Sequence, residues 1–232
     1  MSRRCRAPGN GRFFVSGLPA FVLLPLLFAL TACSSADPQL MDLELRVVVR
    51  PGPEPEGVEE ALVVEADVAD ADGADELAEL VVELQDAGLV WVVPVDRLTL
   101  HAQEGQNWYV TPALTVAGSR RIPRGSVRVT ARDFSGREAR GTEPLPLTLP
   151  LLEAGDLPQL EGSLLREPGR MWSRLLIGVR ENDRLRMEEL VDADPPVSIR
   201  GAVSRPGARF WLVAQWSPRL WAETGPWELP ED

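Results

Sequence analysis

The chain of 232 residues holds 24 basic and 35 acidic side chains and a formal net charge of −11. That balance repels nucleic acid and anionic lipid heads, and a single histidine, His101, excludes any multi-histidine metal centre. The length fits one large or two small domains.

Arg3, Arg4, Arg6 and Arg12 open the chain without an acidic neighbour, and no charge follows from Phe13 through Ala36. The apolar stretch from Leu18 to Ala32 is 15 residues, interrupted by Pro19 and Pro25. A bilayer-crossing helix needs about 20. A basic start, a short oily centre and small residues before a cut follow the order of a signal peptide. Leu30-Thr31-Ala32-Cys33, directly behind that stretch, resembles the lipobox of bacterial lipoproteins. The resemblance implies cleavage before Cys33, diacylglycerol on its thiol and a membrane-anchored envelope protein. Each buried CH₂ contributes about 0.8 kcal/mol, so several acyl chains hold firmly. Ser34 and Ser35 follow with no aspartate, which implies the outer membrane if the host is a diderm resembling the enterics and leaves the leaflet open. The alternatives are an ordinary signal peptide and an uncleaved anchor.

Loss of residues 1–32 leaves 200 residues and, because four arginines go with them, a net charge of −15. Cys5 leaves with the leader and Cys33 is blocked by lipid. No thiol is then free for a disulfide, a Cys–His nucleophile pair or a thiolate zinc site. Stability must come from packing.

Residues 33–41 read as a lipidated tether. From Leu43 to Arg50 apolar and polar residues alternate, the period of a strand. Pro51 through Gly57 is too rich in proline and glycine for a regular element. A strand is predicted near Ala61–Val68, and another begins at Leu80, where valines favour strand over two helical turns at Glu76–Glu83. Leu89–Val95 is apolar but contains Pro94, which argues against a central position throughout. Trp108, Val110 and Leu114 suggest a further strand. Val127–Arg132 alternates cleanly and runs into Asp133-Phe134-Ser135-Gly136, and Leu145, Leu147 and Leu149 form the expected last strand.

A strand running into Asp-x-x-Gly resembles the penultimate strand and following loop of bacterial immunoglobulin-like and fibronectin-III-like domains. The resemblance covers roughly residues 42–150 and implies a β-sandwich, though the cysteine pair and tyrosine corner are missing.

Residues 151–159 form a connection, and 160–232 is a tryptophan-rich β region. Met171, Leu175, Ile177 and Val179 share one face, Glu181-Asn182-Asp183 suits a hairpin turn, and Leu185–Glu188 returns. A strand at Val197, Ile199 and Val203 ends at the Pro206-Gly207 turn. Phe210, Leu212, Ala214 and Trp216 alternate with Trp211, Val213 and Gln215, which makes a central strand if both faces are buried and otherwise leaves Trp211 covering something or exposed. The expected class is all-β: an immunoglobulin-like sandwich followed by a second small β domain or an extension of the same sheet.

Four features invite a functional reading. The acidic run containing Asp67, Asp70, Asp72, Asp75 and Glu76 offers hard oxygens around Gly73, as calcium requires. In EF-hand register, however, Val68 falls at the first ligand position, so the run is either a non-EF Ca²⁺ loop or an acidic, solvated connection. Trp211, Trp221, Trp227 and Glu223 form a second candidate, since tryptophan rings stack on sugars or grip partners and a nearby carboxylate binds hydroxyls. Packing of the second region is the alternative use of those rings. His101 with Asp96 or Glu104 suggests a triad, but no Gly-x-Ser-x-Gly elbow accompanies it, and a loop histidine without chemistry is expected. Glutamate pairs such as Glu188 with Glu189, or Glu143 with Glu153, need a spatial separation that sequence does not give.

These features favour a lipid-anchored, noncatalytic envelope protein that binds or assembles with another envelope protein or a glycan, without cofactor and without nucleic acid. The rivals are an envelope carbohydrate-processing hydrolase using carboxylates and a calcium-tuned adhesion module.

Overall fold

The computed structural model describes residues 37–54, 57–69, 76–103, 105–161, 164–165, 174–181, 184–189 and 209–228. The expected lipidation site and leader lie outside these residues, as do the predicted strand at Val197–Val203 and the turn at Pro206-Gly207. Asp37–Asp232 is one compact unit.

The first strand, β1 (Gln39–Pro51), folds back on β2 (Val58–Ala69). They pair antiparallel with Pro51 opposite Val58, and the Pro/Gly segment between them turns the chain as its composition requires. Alternation from Leu45 sends Leu45, Val47 and Val49 inward, opposite Leu62 and Val64. The strand starts at Gln39 rather than Leu43. Then come β3 (Leu77–Leu84), β4 (Leu89–Pro94), β5 (Thr99–Gln103), β6 (Gln106–Val110), β7 (Gly125–Asp133) and β8 (Glu138–Leu145). The sheet order β4-β3-β7-β8 faces β1-β2-β6-β5, an all-β sandwich. Pro94 and Pro144 both lie on edge strands, where a missing N–H breaks no ladder. His101, expected in a loop, is on β5. Leu114, expected in a strand, makes an isolated bridge to Leu62. The predicted strand through Leu147 and Leu149 stops at Leu145, because Pro146 follows and Leu147 faces solvent.

After the short β9 (Leu160–Glu161) and β10 (Leu164–Leu165) come β11 (Arg174–Glu181), β12 (Arg184–Glu189), β13 (Arg209–Ser217) and β14 (Leu220–Glu228). β14 pairs parallel with β1, so the larger sheet has eight strands in the order β12-β11-β13-β14-β1-β2-β6-β5. Of the two expectations for this region, sheet extension is the one observed. Glu181 pairs with Arg184 across the predicted hairpin, whose tip Asn182-Asp183 is outside the described residues. β13 runs between β11 and β14, and Phe210, Leu212 and Ala214 are buried as a central strand demands. Ala214, Leu220 and Ala222 join Leu45, Val64, Leu80 and Val129 in one hydrophobic core.

Two polar clusters fix the sandwich. Asp133 receives the Arg137 N–H (2.9 Å) and Nε (2.5 Å), and Gly136 takes φ of 82°, the left-handed geometry that makes glycine the natural residue there. Glu60 is 1% exposed. It accepts from Arg124 Nη1 (2.8 Å) and Nη2 (3.0 Å), Arg121 Nη1 (3.0 Å) and the Ile122 N–H (3.0 Å). Burial alone would raise its pKa, but the bonds and charges of Arg124 and Arg121 and the Ile122 N–H outweigh burial and hold it below the usual carboxylate range.

Candidate functional site: the outer face of the eight-stranded sheet

The strands that bury Leu45, Val47 and Val49 inward present Glu44, Arg46, Val48 and Arg50 on the opposite side, because side chains alternate across a strand. Val48 pairs with Trp221 on β14, and Glu223 pairs with Val213 on β13. Arg50 therefore stands beside Glu223, and Nε (3.0 Å) and Nη2 (2.7 Å) both donate to Glu223 Oε2. Glu223 Oε1 and Arg50 Nη1 take no part in this pair. Arg50, Pro51, Trp211, Glu223 and Gly225 line a hollow of about 310 Å³.

A bulge gives this hollow its shape. Phe210 pairs with Trp227 and Leu212 with Thr224, so Trp211 alone faces two residues, Gly225 and Pro226. Gly225 has φ of 124°, and a Cβ there would lie 2.8 Å from the Phe210 carbonyl oxygen and 3.2 Å from Trp211 Cα. Only glycine fits so close to the neighbouring backbone. The inserted residue also changes which way the chain faces. Trp227 emerges on the side of Phe210, with its Nε1 3.4 Å from Thr224 Oγ1, while Trp211 stays outside.

Of the four residues predicted as a patch, Trp211 and Glu223 are thus brought together. Trp221 is on the same face, but Arg46 sits 4.7 Å from its ring centroid. Arg46 also makes an ion pair with Glu65. Burial lowers its pKa, with Glu44 acting in the other direction. Trp227 turns away from the group. Although Gly225 and Pro226 have the composition of a turn, the segment from Trp221 to Trp227 is a strand, and the Gly-Pro pair forms the bulge.

A second hollow of about 310 Å³, lined by Glu44, Glu65, His101, Trp108 and Val110, opens on the same face. Glu44 pairs with Glu65 across β1 and β2, Glu65 with Val110 across β2 and β6, and His101 with Trp108 across β5 and β6. His101 therefore lines this hollow together with Glu44 and Glu65. Sequence reading missed these carboxylates and Arg50, because nothing local marks two strands as neighbours. The alternation of β1 carries the one usable signal: it sends Glu44, Arg46 and Arg50 outward.

Asp67 is buried and accepts the Asn107 N–H at 3.0 Å, holding the start of β6. Glu76 precedes β3, and its carbonyl accepts the Phe134 N–H at 3.0 Å. Asp70, Asp72 and Asp75 lie outside the described residues. Among the described residues, no three acidic, histidine or cysteine side chains converge as a metal site.

No family model matches the chain, and no curated protein matches its sequence. Among solved structures it is similar to Tp47, the 47-kilodalton lipoprotein of Treponema pallidum, at 13% identity and a TM-score of 0.32. The match covers 81% of this chain and 51% of that one, so the chain spans about half the length of the neighbour.

Proposed function

We propose that the protein is a lipid-anchored, noncatalytic binding module of the bacterial envelope, and that the outer face of its larger sheet is the surface that binds. The observation carrying the binding role is the hollow of Trp211, Arg50 and Glu223. Strands from the two ends of the chain build it, Arg50 and Glu223 being 173 residues apart, and a bulge aims its tryptophan. A rigid aromatic surface beside a polar pair suits recognition. Two carboxylates of this face, Glu223 and Glu65, are held by Arg50 and Arg46, which favours binding over acid–base chemistry at those two.

The anchor rests on the lipobox resemblance at Leu30–Cys33, with outer-membrane placement in a diderm host. The immunoglobulin-like reading of residues 42–150 rests on strand order. β1-β2-β6-β5 opposite β4-β3-β7-β8 corresponds to the A-B-E-D and C′-C-F-G sheets of such domains.

Membrane fractionation of wild type and Cys33→Ala tests the anchor. Wild type pellets with membranes and the variant is released; equal retention of both overturns lipidation. Crosslinking in intact cells from a photoreactive residue at Gln215, on the same face, tests the binding role. A captured envelope component supports it, and a clean lane in cells that express the folded protein counts against it.

A further inference from the structure

The two hollows are ends of one feature. Along β1 the outward residues run Glu44, Arg46, Val48, Arg50, with the second hollow at Glu44 and the first at Arg50. At about 3.3 Å per residue those positions are about 20 Å apart. Between them Arg46 lies over Trp221 and pairs with Glu65. From Trp211 on β13 to Trp108 on β6 the track crosses five adjacent strands diagonally.

Chemistry narrows what can lie in it. Arg46 is matched by Glu65 and Arg50 by Glu223, so no excess positive charge is offered to a phosphate, a nucleic acid or an anionic lipid, and the chain as a whole is at −11. The face is also not the continuous apolar surface that a helix or a lipid tail needs. It presents a tryptophan at each hollow and, at the first, an ion pair that keeps one acceptor and one donor outside its own bonds: Glu223 Oε1 and, on the far edge of the guanidinium, Arg50 Nη1. Flat apolar rings beside paired donors and acceptors complement a sugar, which has C–H faces and adjacent hydroxyls. We infer that this track binds an extended, uncharged glycan chain, with one sugar in each hollow against Trp211 and Trp108 and the intervening units crossing the Arg46–Trp221 stack. The inference rests on the binding reading above and names the class of ligand for that surface.

The test uses the full-length, detergent-solubilised protein, with chitohexaose and cellohexaose as neutral extended probes, N-acetylglucosamine and glucose as single units, and heparin as a charged polymer. Titration calorimetry is expected to show at least one hexaose bound and each single unit at least about tenfold weaker, because one unit fills one hollow. Trp211→Ala and Trp108→Ala are each expected to weaken the hexaose about tenfold, as for anchoring aromatics at an interface, with far-ultraviolet circular dichroism unchanged. Arg132→Ala, on the other sheet, leaves binding as it was. Equal affinity for single units and hexaoses overturns the track. So does failure of the folded protein to bind either hexaose, or tighter binding of heparin. A protein captured from Gln215 in cells, with no glycan bound, overturns the glycan class but leaves the binding module standing. Shortened oligosaccharides in the mass spectrum, absent with heat-treated protein, overturn the noncatalytic reading and leave the glycan class in place.

Discussion

The two sheets of the sandwich carry the same ion-pair chemistry on their outer faces and use it differently. On the four-stranded sheet Arg132 bridges Glu79 (2.5 Å) and Glu138 (2.8 Å), Glu138 continues to Arg140, and Arg128 reaches Glu83 (3.1 Å). Val90 and Val92 stand exposed at its β4 edge, and its one tryptophan among the described residues, Trp91, is half-buried with Nε1 on the Thr115 carbonyl. On the eight-stranded sheet the ion pairs alternate with Trp211, Trp221 and Trp108, and hollows open beside the first and last of these. Cross-strand pairs of opposite charge solubilise a β surface. On the larger sheet large rings interrupt them, and the proposed binding role rests on that difference.

If the faces differ only in decoration, the scaffold beneath must be shared, and its loss should cost far more than any change on either surface. Glu60→Ala leaves Arg124 and Arg121 without their buried partner, and chemical denaturation is expected to show a loss of about 3–5 kcal/mol. The acid side sharpens this. Glu60 has a folded pKa below its unfolded value of about 4.3, so its contribution is complete above that value and fades as pH falls through the folded pKa. The stability gap between wild type and Glu60→Gln should narrow on acidification, and a gap that widens below pH 4 would contradict the assignment.

Gly225→Ala separates the faces at the next level. The left-handed φ and the contact with the Phe210 carbonyl put the expected cost at about 1–3 kcal/mol, read from the denaturation midpoint. Trp211 emission should shift as its ring moves, and a variant as stable as wild type with an unchanged spectrum would show that the bulge does not aim the ring. Arg46→Ala removes a cation over Trp221 and should cost about 1 kcal/mol. Arg132→Ala, on the plain face, should leave the unfolding midpoint within error. Should Arg132 prove the more costly of the two, the contrast between faces would reverse.

Much of the scaffold was legible because alternation is local. Leu45, Val47 and Val49 announce β1, Phe210 through Ala214 announce β13, and Asp133 with Gly136 announces a turn whose bonds span a few residues. Proline misled in both directions. Pro144 is inside a strand because that strand is an edge, whereas Pro146 ends the same strand two residues later, and only the tertiary position separates the cases. Gly225-Pro226 has the composition of a turn, yet the β13 ladder, present at Thr224 and resumed at Trp227, keeps it in a strand as a bulge. Of the candidate site, tryptophans and Glu223 were visible as residue types. Their grouping was not, because Arg50 meets Glu223 only through the parallel pairing of β1 with β14, and no short-range pattern encodes which strands become neighbours.

That parallel pairing also governs when the molecule can fold. β1 pairs with β2 at once but receives its second neighbour only after β14 has been synthesised, and closing so long a loop is entropically costly and slow. Until then the larger sheet lacks its middle. A polypeptide wired this way has its sandwich strands in hand long before β14 arrives to join the two halves of the larger sheet.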